Sequence, residues 1–278
     1  MKIGSLFLGI GGFECGFESA GCETAWQVEI NPIHRLVLAE RFPRARQYAD
    51  IRDCGAKNLA PVDAICGGFP CQDISAMGSA ARHGSQGLAG ERSGLFWEAL
   101  RVIREIRPQW VVLENVPRLI TIHNGADLQA ILVALAECGY VGYWRVLNAL
   151  YFGVPQARRR LFIVAGLGRF PHADFLADAA PMESLPVTIG SEHIARGPLS
   201  QSTNTVMAAN FASRVSLGCE VLVAVEDGWG SMVERPRISE VDGIPFGLDD
   251  SNRYQRYAAG NAVVPAIARW IAEIIIRS

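Results

Sequence analysis

The stretch KIGSLFLGIGGFECGFESAG, residues 2–21, decides the fold. Lys2–Leu8 is an apolar run of strand length that ends against Gly9, Gly11 and Gly12, and Gly11–Ala20 then takes up helical spacing. A buried strand, a glycine turn and a helix form the opening unit of a layered α/β protein. The run could be mistaken for a secretory leader, but it carries a single Lys and is broken by the glycines and then by Glu14, which suits a strand entering a turn better.

The alternation continues outward from that unit. Thr24–Ile30 reads as a strand and Pro32–Arg41 as a helix, and a third strand is plausible just before Asp50. Val62–Cys66 is a short strand running into Gly67 and Gly68. Glu91–Ile106 is an amphipathic helix with Leu95, Ala99, Val102, Ile103 and Ile106 on one face. Gln109–Leu113 is a β-branched strand, Asp127–Glu137 a helix, and Val141–Leu150 and Leu161–Ala165 are strand-like. Repeated β-α units predict a mostly parallel sheet with helices on both faces. The texture changes after Gly166: Phe170–Pro186 is rich in Ala, Asp and Pro and reads as loop, Ser200–Val206 is polar, and Val221–Val225 is one convincing strand. These shifts divide the chain into a catalytic and cofactor-binding domain at 1–167, a small domain at 168–250, and a segment at 251–278 whose helix, Ala262–Ile276, returns to the first domain.

Half of the 278 residues are hydrophobic, ample for a real core, and the charged residues are spread through the chain, which argues against bulk disorder. No apolar run reaches the roughly 18 residues of a membrane span, so a soluble, cytoplasmic protein without a membrane partner is expected. Seven cysteines, an odd number without a CxxC pair, disfavour a disulfide framework or a metal site. The net charge of −2 hides an uneven distribution: residues 1–166 hold 17 Lys and Arg against 15 Asp and Glu, residues 167–250 hold 5 against 12, and residues 251–278 hold 4 against 1. Any nucleic-acid-binding surface must therefore be local.

Four motifs carry chemistry. Phe7-Leu8-Gly9-Ile10-Gly11-Gly12 lets the backbone approach a cofactor and offers the amides of the next helix. A tight structural turn is the plain alternative, but two carboxylates strengthen the cofactor reading. Glu29 ends the second strand, where it can accept both hydroxyls of a ribose, and Asp50-Ile51 follows the third, where a carboxylate can accept an adenine amino group. GxGxxG is not matched, so an adenosine-containing cofactor other than a dinucleotide is favoured; Ser5 stands where many such sites carry an acid. In Gly67-Gly68-Phe69-Pro70-Cys71-Gln72, a cysteine on a rigid Gly-Pro loop is poised to act as a soft nucleophile toward carbon 6 of a pyrimidine. Glu114, at the tip of Gln109–Leu113 and followed by Asn115, can protonate or hydrogen-bond N3 of cytosine, without which C6 is a poor electrophile. In Gln156-Ala157-Arg158-Arg159-Arg160, strand alternation points Arg158 and Arg160 to one face, where they can hold a carboxylate and the O2 of a base. A helix cap for Glu114 and a solvated basic run for the arginines are the bland readings.

In order and spacing these pieces resemble the DNA cytosine-5 methyltransferase family of bacteria and phages. The matching residues are FLGIGG, Glu29, the DI at Asp50, GGFPCQDIS, GLF at Gly94–Phe96, ENV, QARRR, and AGNAVVP at Ala259–Pro265, covering about 1–166 and 256–278. Ile244–Tyr257 departs from the family pattern, and 168–250 looks like a short target-recognition domain. The resemblance implies a Rossmann-like S-adenosylmethionine-dependent methyltransferase fold. It implies that Cys71 adds to C6, that Glu114 stabilises the N3-protonated ring, that Arg160 contacts O2, that Arg158 holds Glu114, and that Asn115 braces the Pro70–Cys71 loop; Gln72 belongs to the same catalytic set. S-adenosylmethionine, leaving as S-adenosylhomocysteine, would be lined by Phe7, Gly9, Ile10, Gly11, Gly12, Glu29, Ile30, Asp50, Ile51, Pro70, Leu95, Asn261 and Val263. The implied substrate is duplex DNA at a specific short sequence, methylated by a monomer, with a cognate restriction endonuclease as a cellular partner. A cytosine-5 methyltransferase acting on tRNA and a catalytically dead DNA-binding relative are the alternatives.

Chemistry at C5 and C6 needs access above and below the ring, so the cytosine must leave the base stack. Ala76–Gly90, rich in Gly, Ser and Ala, reads as a loop that closes over it. The acidic block cannot offer a broad phosphate-binding face. Phosphate contacts are therefore expected from the catalytic domain and the C-terminal segment, with Arg82, His83, Gln86, Arg92, Arg253 and Arg256 as candidates. Base-edge contacts are expected from Arg196, Arg214, Arg235 or Arg237.

Overall fold

The computed structural model describes residues 1–70, 94–154, 157–176, 223–225 and 262–278. Eight strands lie in one sheet in the order β3-β2-β1-β4-β5-β7-β6-β8. They are β1 (Lys2–Leu6), β2 (Glu23–Val28), β3 (Arg46–Tyr48), β4 (Ala64–Gly67), β5 (Trp110–Asn115), β6 (Tyr140–Asn148), β7 (Arg159–Leu167) and β8 (Val223–Val225). The α-helices among the described residues are α1 (Gly12–Ser19), α2 (Pro32–Arg41), α3 (Leu95–Ile106), α4 (Ala126–Glu137) and α5 (Pro265–Arg277). The sheet is mostly parallel, as the β-α alternation predicts; β7 alone runs antiparallel, inserted between β5 and β6. The chain doubles back over 149–158 without a crossover helix, and such a return makes antiparallel neighbours.

Burial on both faces explains why the strands read as continuous apolar runs. Along β5, Val111 and Leu113 join one core with Phe96, Leu100, Ile103, Leu128 and Leu135 of α3 and α4. Trp110 and Val112 join the other with Phe13 and Phe17 of α1 and Ile267, Ile271 and Ile275 of α5. Asn31 caps α2, its side chain accepting from Ile33 N–H at 2.9 Å, with Pro32 in the first turn. No described helix is long and apolar enough to cross a membrane.

The C-terminal segment returns to α1 by close backbone approach. A Cβ on Gly12 would lie 2.0 Å from the Val263 carbonyl oxygen, so only glycine lets the start of α1 touch the segment entering α5. Gly12→Ala should therefore force the two backbones apart and destabilise the fold by about 1–3 kcal/mol, the usual range for overpacking. Urea unfolding would show this as a lower midpoint at unchanged slope, and an unchanged midpoint would mean that α5 is not seated as described.

Of the small domain placed at 168–250, only 168–176 and Val223–Val225 are among the described residues. Phe175 is buried between Tyr143 and Trp270, at centroid distances of 6.5 and 5.7 Å, and its carbonyl accepts from the buried Arg145 at 2.8 Å. Val223–Val225 pairs in parallel with Tyr143–Arg145 of β6.

Candidate active site

The C-terminal ends of β1, β2, β3 and β4 lie side by side and present Phe7, Glu29, Asp50 and Pro70 on one rim. β1 and β4 are neighbours there, with the chain leading outward to β2 on one side and to β5 on the other. Such a switch point is where open α/β sheets bind ligands. β1 stops at Leu6, two residues earlier than the apolar run suggests, because Phe7 turns to a φ of 56° while its N–H still bonds to Val28 O at 2.9 Å. Positive φ is disfavoured for a bulky residue, and strain of this kind concentrates at functional sites. Gly9 and Gly11 follow at φ of 59° and 93° and complete the turn into α1.

Glu29 is buried directly across this turn. Its Oε2 accepts from Gly9 N–H at 2.7 Å and its Oε1 from Asn31 N–H at 2.8 Å, with His34 Nδ1 at 3.5 Å. The carboxylate thus fixes the glycine turn relative to β2. Ile30 beside it is 65% exposed, an apolar surface left on the rim. Asp50 accepts from Arg52 N–H at 2.9 Å and pairs with the Arg52 guanidinium at 2.8 Å; these hydrogen bonds hold its pKa below the usual carboxylate range. Ile51, Ile10 and Val263 are buried, while Phe7, Pro70 and Leu95 are half-buried.

The second cluster gathers on β5 and β7. β5 extends through Glu114 and Asn115, which pair with Phe162 and Leu161 of β7, so both lie within the strand rather than beyond its tip. Glu114 is buried, with Arg160 Nε 3.0 Å from its Oε1. Burial pushes its pKa up, and Arg160 and then Arg158 oppose that rise. A Cβ on Gly68 would lie 2.8 Å from Glu114 Oε2, so the bare backbone of the β4 loop lies against the carboxylate. Asn115 Nδ2 donates to Phe69 O at 3.1 Å, tying β5 to the residue before Pro70. Arg158 is buried and donates to Ala262 O at 2.7 Å, while Arg159 is exposed, in line with strand alternation. Arg160 thus pairs directly with Glu114, and Arg158 acts on the same carboxyl while reaching the C-terminal segment.

Two contributors are invisible to motif reading. Arg101 of α3 donates to Cys54 O at 2.8 Å and Ile51 O at 2.9 Å, holding the 50–55 loop on the rim. In sequence it is only the polar side of an amphipathic helix. Glu14 is buried behind the glycine turn. Cys71, Gln72, Arg82, His83, Gln86, Arg92, Gln156, Arg253, Arg256 and Asn261 lie outside the described residues.

The chain is 29% identical over its full length to the Type II methyltransferase M.HaeII of Haemophilus aegyptius, covering 93% of that protein. It is 35% identical over 62% of its length to the Type II methyltransferase M2.BsuMI of Bacillus subtilis (strain 168), of which it spans 43%. Among solved structures, its fold matches a putative DNA modification methyltransferase encoded within an E. coli prophage, with a TM-score of 0.57 at 16% identity and full coverage of both chains. It also matches the Entamoeba histolytica methyltransferase EhMeth, with a TM-score of 0.58 at 14% identity, covering all of this chain and 98% of that one. At those identities the likeness concerns the Rossmann-like methyltransferase fold alone. The family model for C-5 cytosine-specific DNA methylases matches residues 1–209, and the chain belongs to that family.

Proposed function

We propose that this protein transfers the methyl group of S-adenosylmethionine to carbon 5 of cytosine in duplex DNA at a specific short sequence. The observation that carries the reading is the buried Glu114–Arg160 pair beside the Gly68–Pro70 loop, which Asn115 ties down one residue short of Pro70 and two short of Cys71. A carboxyl held in an apolar site with raised pKa can keep or donate a proton at N3, which is what activates C6. A loop fixed by β5 gives a nucleophile at Cys71 a defined line of attack.

The rim fits the cofactor on its own features. A turn at positive φ brings bare backbone close, Glu29 is buried there as an acceptor, and Ile30 offers an exposed apolar face for a flat ring. When bound, S-adenosylmethionine supplies an electrophilic methyl group on a sulfonium. The chain's own residues do the rest. Glu29 accepts the ribose hydroxyls, Asp50 accepts the adenine amino group, and Ile51 and Val263 close the apolar side. Cys71 adds to C6 of the flipped cytosine while Glu114 holds the proton at N3. Arg160 and Arg158 moderate the Glu114 charge, and Arg160 is placed to meet O2. C5 takes the methyl group and then loses its proton, and Cys71 leaves.

The small target-recognition domain is placed at 168–250, and residues 251–278 complete the catalytic layer. The Type II relatives make a cognate restriction endonuclease the expected cellular partner. The test is methylation of duplex DNA and of tRNA by the purified protein, with bisulfite sequencing of the product. Methylated cytosines at one recurring DNA sequence are expected, and methylation confined to tRNA would overturn the substrate.

Glu29 carries a separate expectation. Glu29→Ala removes the ribose acceptor of this reading and the clamp on Gly9, so S-adenosylmethionine binding should weaken by ~1–3 kcal/mol, the range for hydrogen bonds to a charged group. Titration calorimetry measures this, and an unchanged dissociation constant would move the ribose contact elsewhere.

A further inference from the structure

Glu14 has no part in the chemistry above, yet a carboxyl at its position is costly. It lies in the first turn of α1, fully buried, and its side chain faces the sheet. The groups that act on it are Ser5 of β1, Gln27 of β2 and Glu18 of its own helix, and it acts in turn on Cys66 of β4 and Cys15. No cation is among them. Ser5 shares its hydroxyl with Cys66 Sγ at 3.2 Å, and neither carboxyl oxygen of Glu14 nor either amide atom of Gln27 makes a well-formed hydrogen bond among the described residues. Burial with no counter-charge among the described residues penalises the ionised form and pushes the Glu14 pKa from 4.5 up to about 7.

The place of this group matters more than its titration alone. β1 runs from Ser5 straight into the Phe7–Gly12 turn, β2 runs from Gln27 into Glu29, and α1 starts at Gly12. The carboxyl thus stands in the wall common to the three elements that frame the proposed cofactor site. It brings an acid from α1 to the side of Ser5, the strand position where an acid was missing from the sequence.

We propose that Glu14 couples a proton to cofactor binding: its carboxyl is neutral behind the glycine turn and releases its proton as the S-adenosylmethionine cation seats in front of that turn. The inference rests on the cofactor reading above. A cation near a buried carboxyl favours the ionised form, and the attraction is strong in a site of low dielectric. By linkage, whatever promotes ionisation is itself bound more tightly by the ionised form. S-adenosylmethionine carries a sulfonium charge that the product thioether, S-adenosylhomocysteine, lacks. Glu14 is therefore a positioning residue that favours substrate over product, and more so as pH rises through 7.

Calorimetric titration of the full chain at pH 7, in phosphate and in Tris, reads proton release directly. Wild type should release a few tenths of a proton with S-adenosylmethionine and little with S-adenosylhomocysteine, and its affinity for the former should rise several-fold from pH 6 to pH 8. Glu14→Gln should release correspondingly less and show a flat affinity. The ligand-free protein gives a second readout. A folded pKa raised above the unfolded value loses stability as pH climbs from 4.5 toward 7, so the melting temperature of Glu14→Gln should gain on wild type over that window. Equal proton release by wild type and variant, equal release with the two ligands, or a constant melting difference would overturn the proposal. Failure of wild type to bind either ligand would overturn the cofactor reading and this proposal with it, whereas binding without proton release overturns this proposal alone.

Discussion

A duplex carrying 5-fluorocytosine at the target site is expected to trap the wild-type protein in a complex that survives denaturation, and Cys71→Ser is expected to abolish both that complex and turnover. The addition of a thiolate to C6 makes C5 a nucleophilic carbon, and C5 takes the methyl group. Release of product then needs the C5 proton to leave, and fluorine cannot leave in its place, so the bond to sulfur persists. Loss of a covalent nucleophile lowers turnover by a factor on the order of 10³ or more. Four of the described thiols are poor competitors. Burial pushes the Cys66 thiol far up and that of Cys54 to about 11, and it raises those of Cys15 and Cys22 as well. A thiol so shifted carries almost no thiolate at neutral pH. Cys54→Ser should accordingly leave the trapped complex intact. A wild-type protein that methylates DNA but yields no denaturation-resistant adduct would remove Cys71 from the mechanism.

The fold was legible where periodicity and local chemistry agree. The alternation of apolar runs and amphipathic helices located the eight strands of the sheet and the five α-helices among the described residues to within a few residues. Where the boundaries moved, tertiary contacts moved them. β5 extends through Glu114 and Asn115 because β7 lies alongside and continues the ladder at Phe162 and Leu161. That neighbour is set by a return of the chain that no local pattern announces. β1 ends early because Phe7 adopts a positive φ that its residue type does not advertise. The exposed Arg159 between the inward Arg158 and Arg160 followed from strand alternation alone.

The site was less legible, for a physical reason. Motif residues are recognisable because the chemistry restricts them to a few types at fixed spacing. Supporting residues act through tertiary contacts between distant parts of the chain. Arg101 shows only its partners three residues before and four after, Glu98 and Glu105, in sequence, and its two bonds to backbone carbonyls on the 50–55 loop appear only when α3 docks. Glu14 beside the glycine turn reads as an ordinary first-turn acid of a helix, and its burial is settled by β1 and β2 beneath it. Arg158, assigned by resemblance to Glu114, acts on that carboxyl and also donates at 2.7 Å to Ala262, a residue 104 positions away.

Glu114→Gln is expected to keep the fold and lower kcat by about 10²–10⁴, the usual contribution of a positioned acid or base. The amide preserves size and can still donate a hydrogen bond, but it cannot carry the proton to N3. Arg160 makes the assignment sharper through pH. Burial raises the Glu114 pKa, and Arg160 is the first of the two cations that oppose the rise. Arg160→Ala removes that opposition, so the pKa must climb further. The protonated form then persists to higher pH. The alkaline limb of the rate profile, which reports loss of the Glu114 proton, should therefore move to higher pH in Arg160→Ala, even as kcat falls from the lost contact with the base. The two effects separate the acid role from a structural one. A Glu114 that only buttressed the Gly68 loop would give Gln a modest penalty and leave the pH limb in place when Arg160 is removed. Steady-state rates from pH 6 to pH 9 for the wild type and the two variants decide between them: an alkaline limb that stays fixed, or that moves to lower pH in Arg160→Ala, would remove Glu114 as the group that supplies the proton.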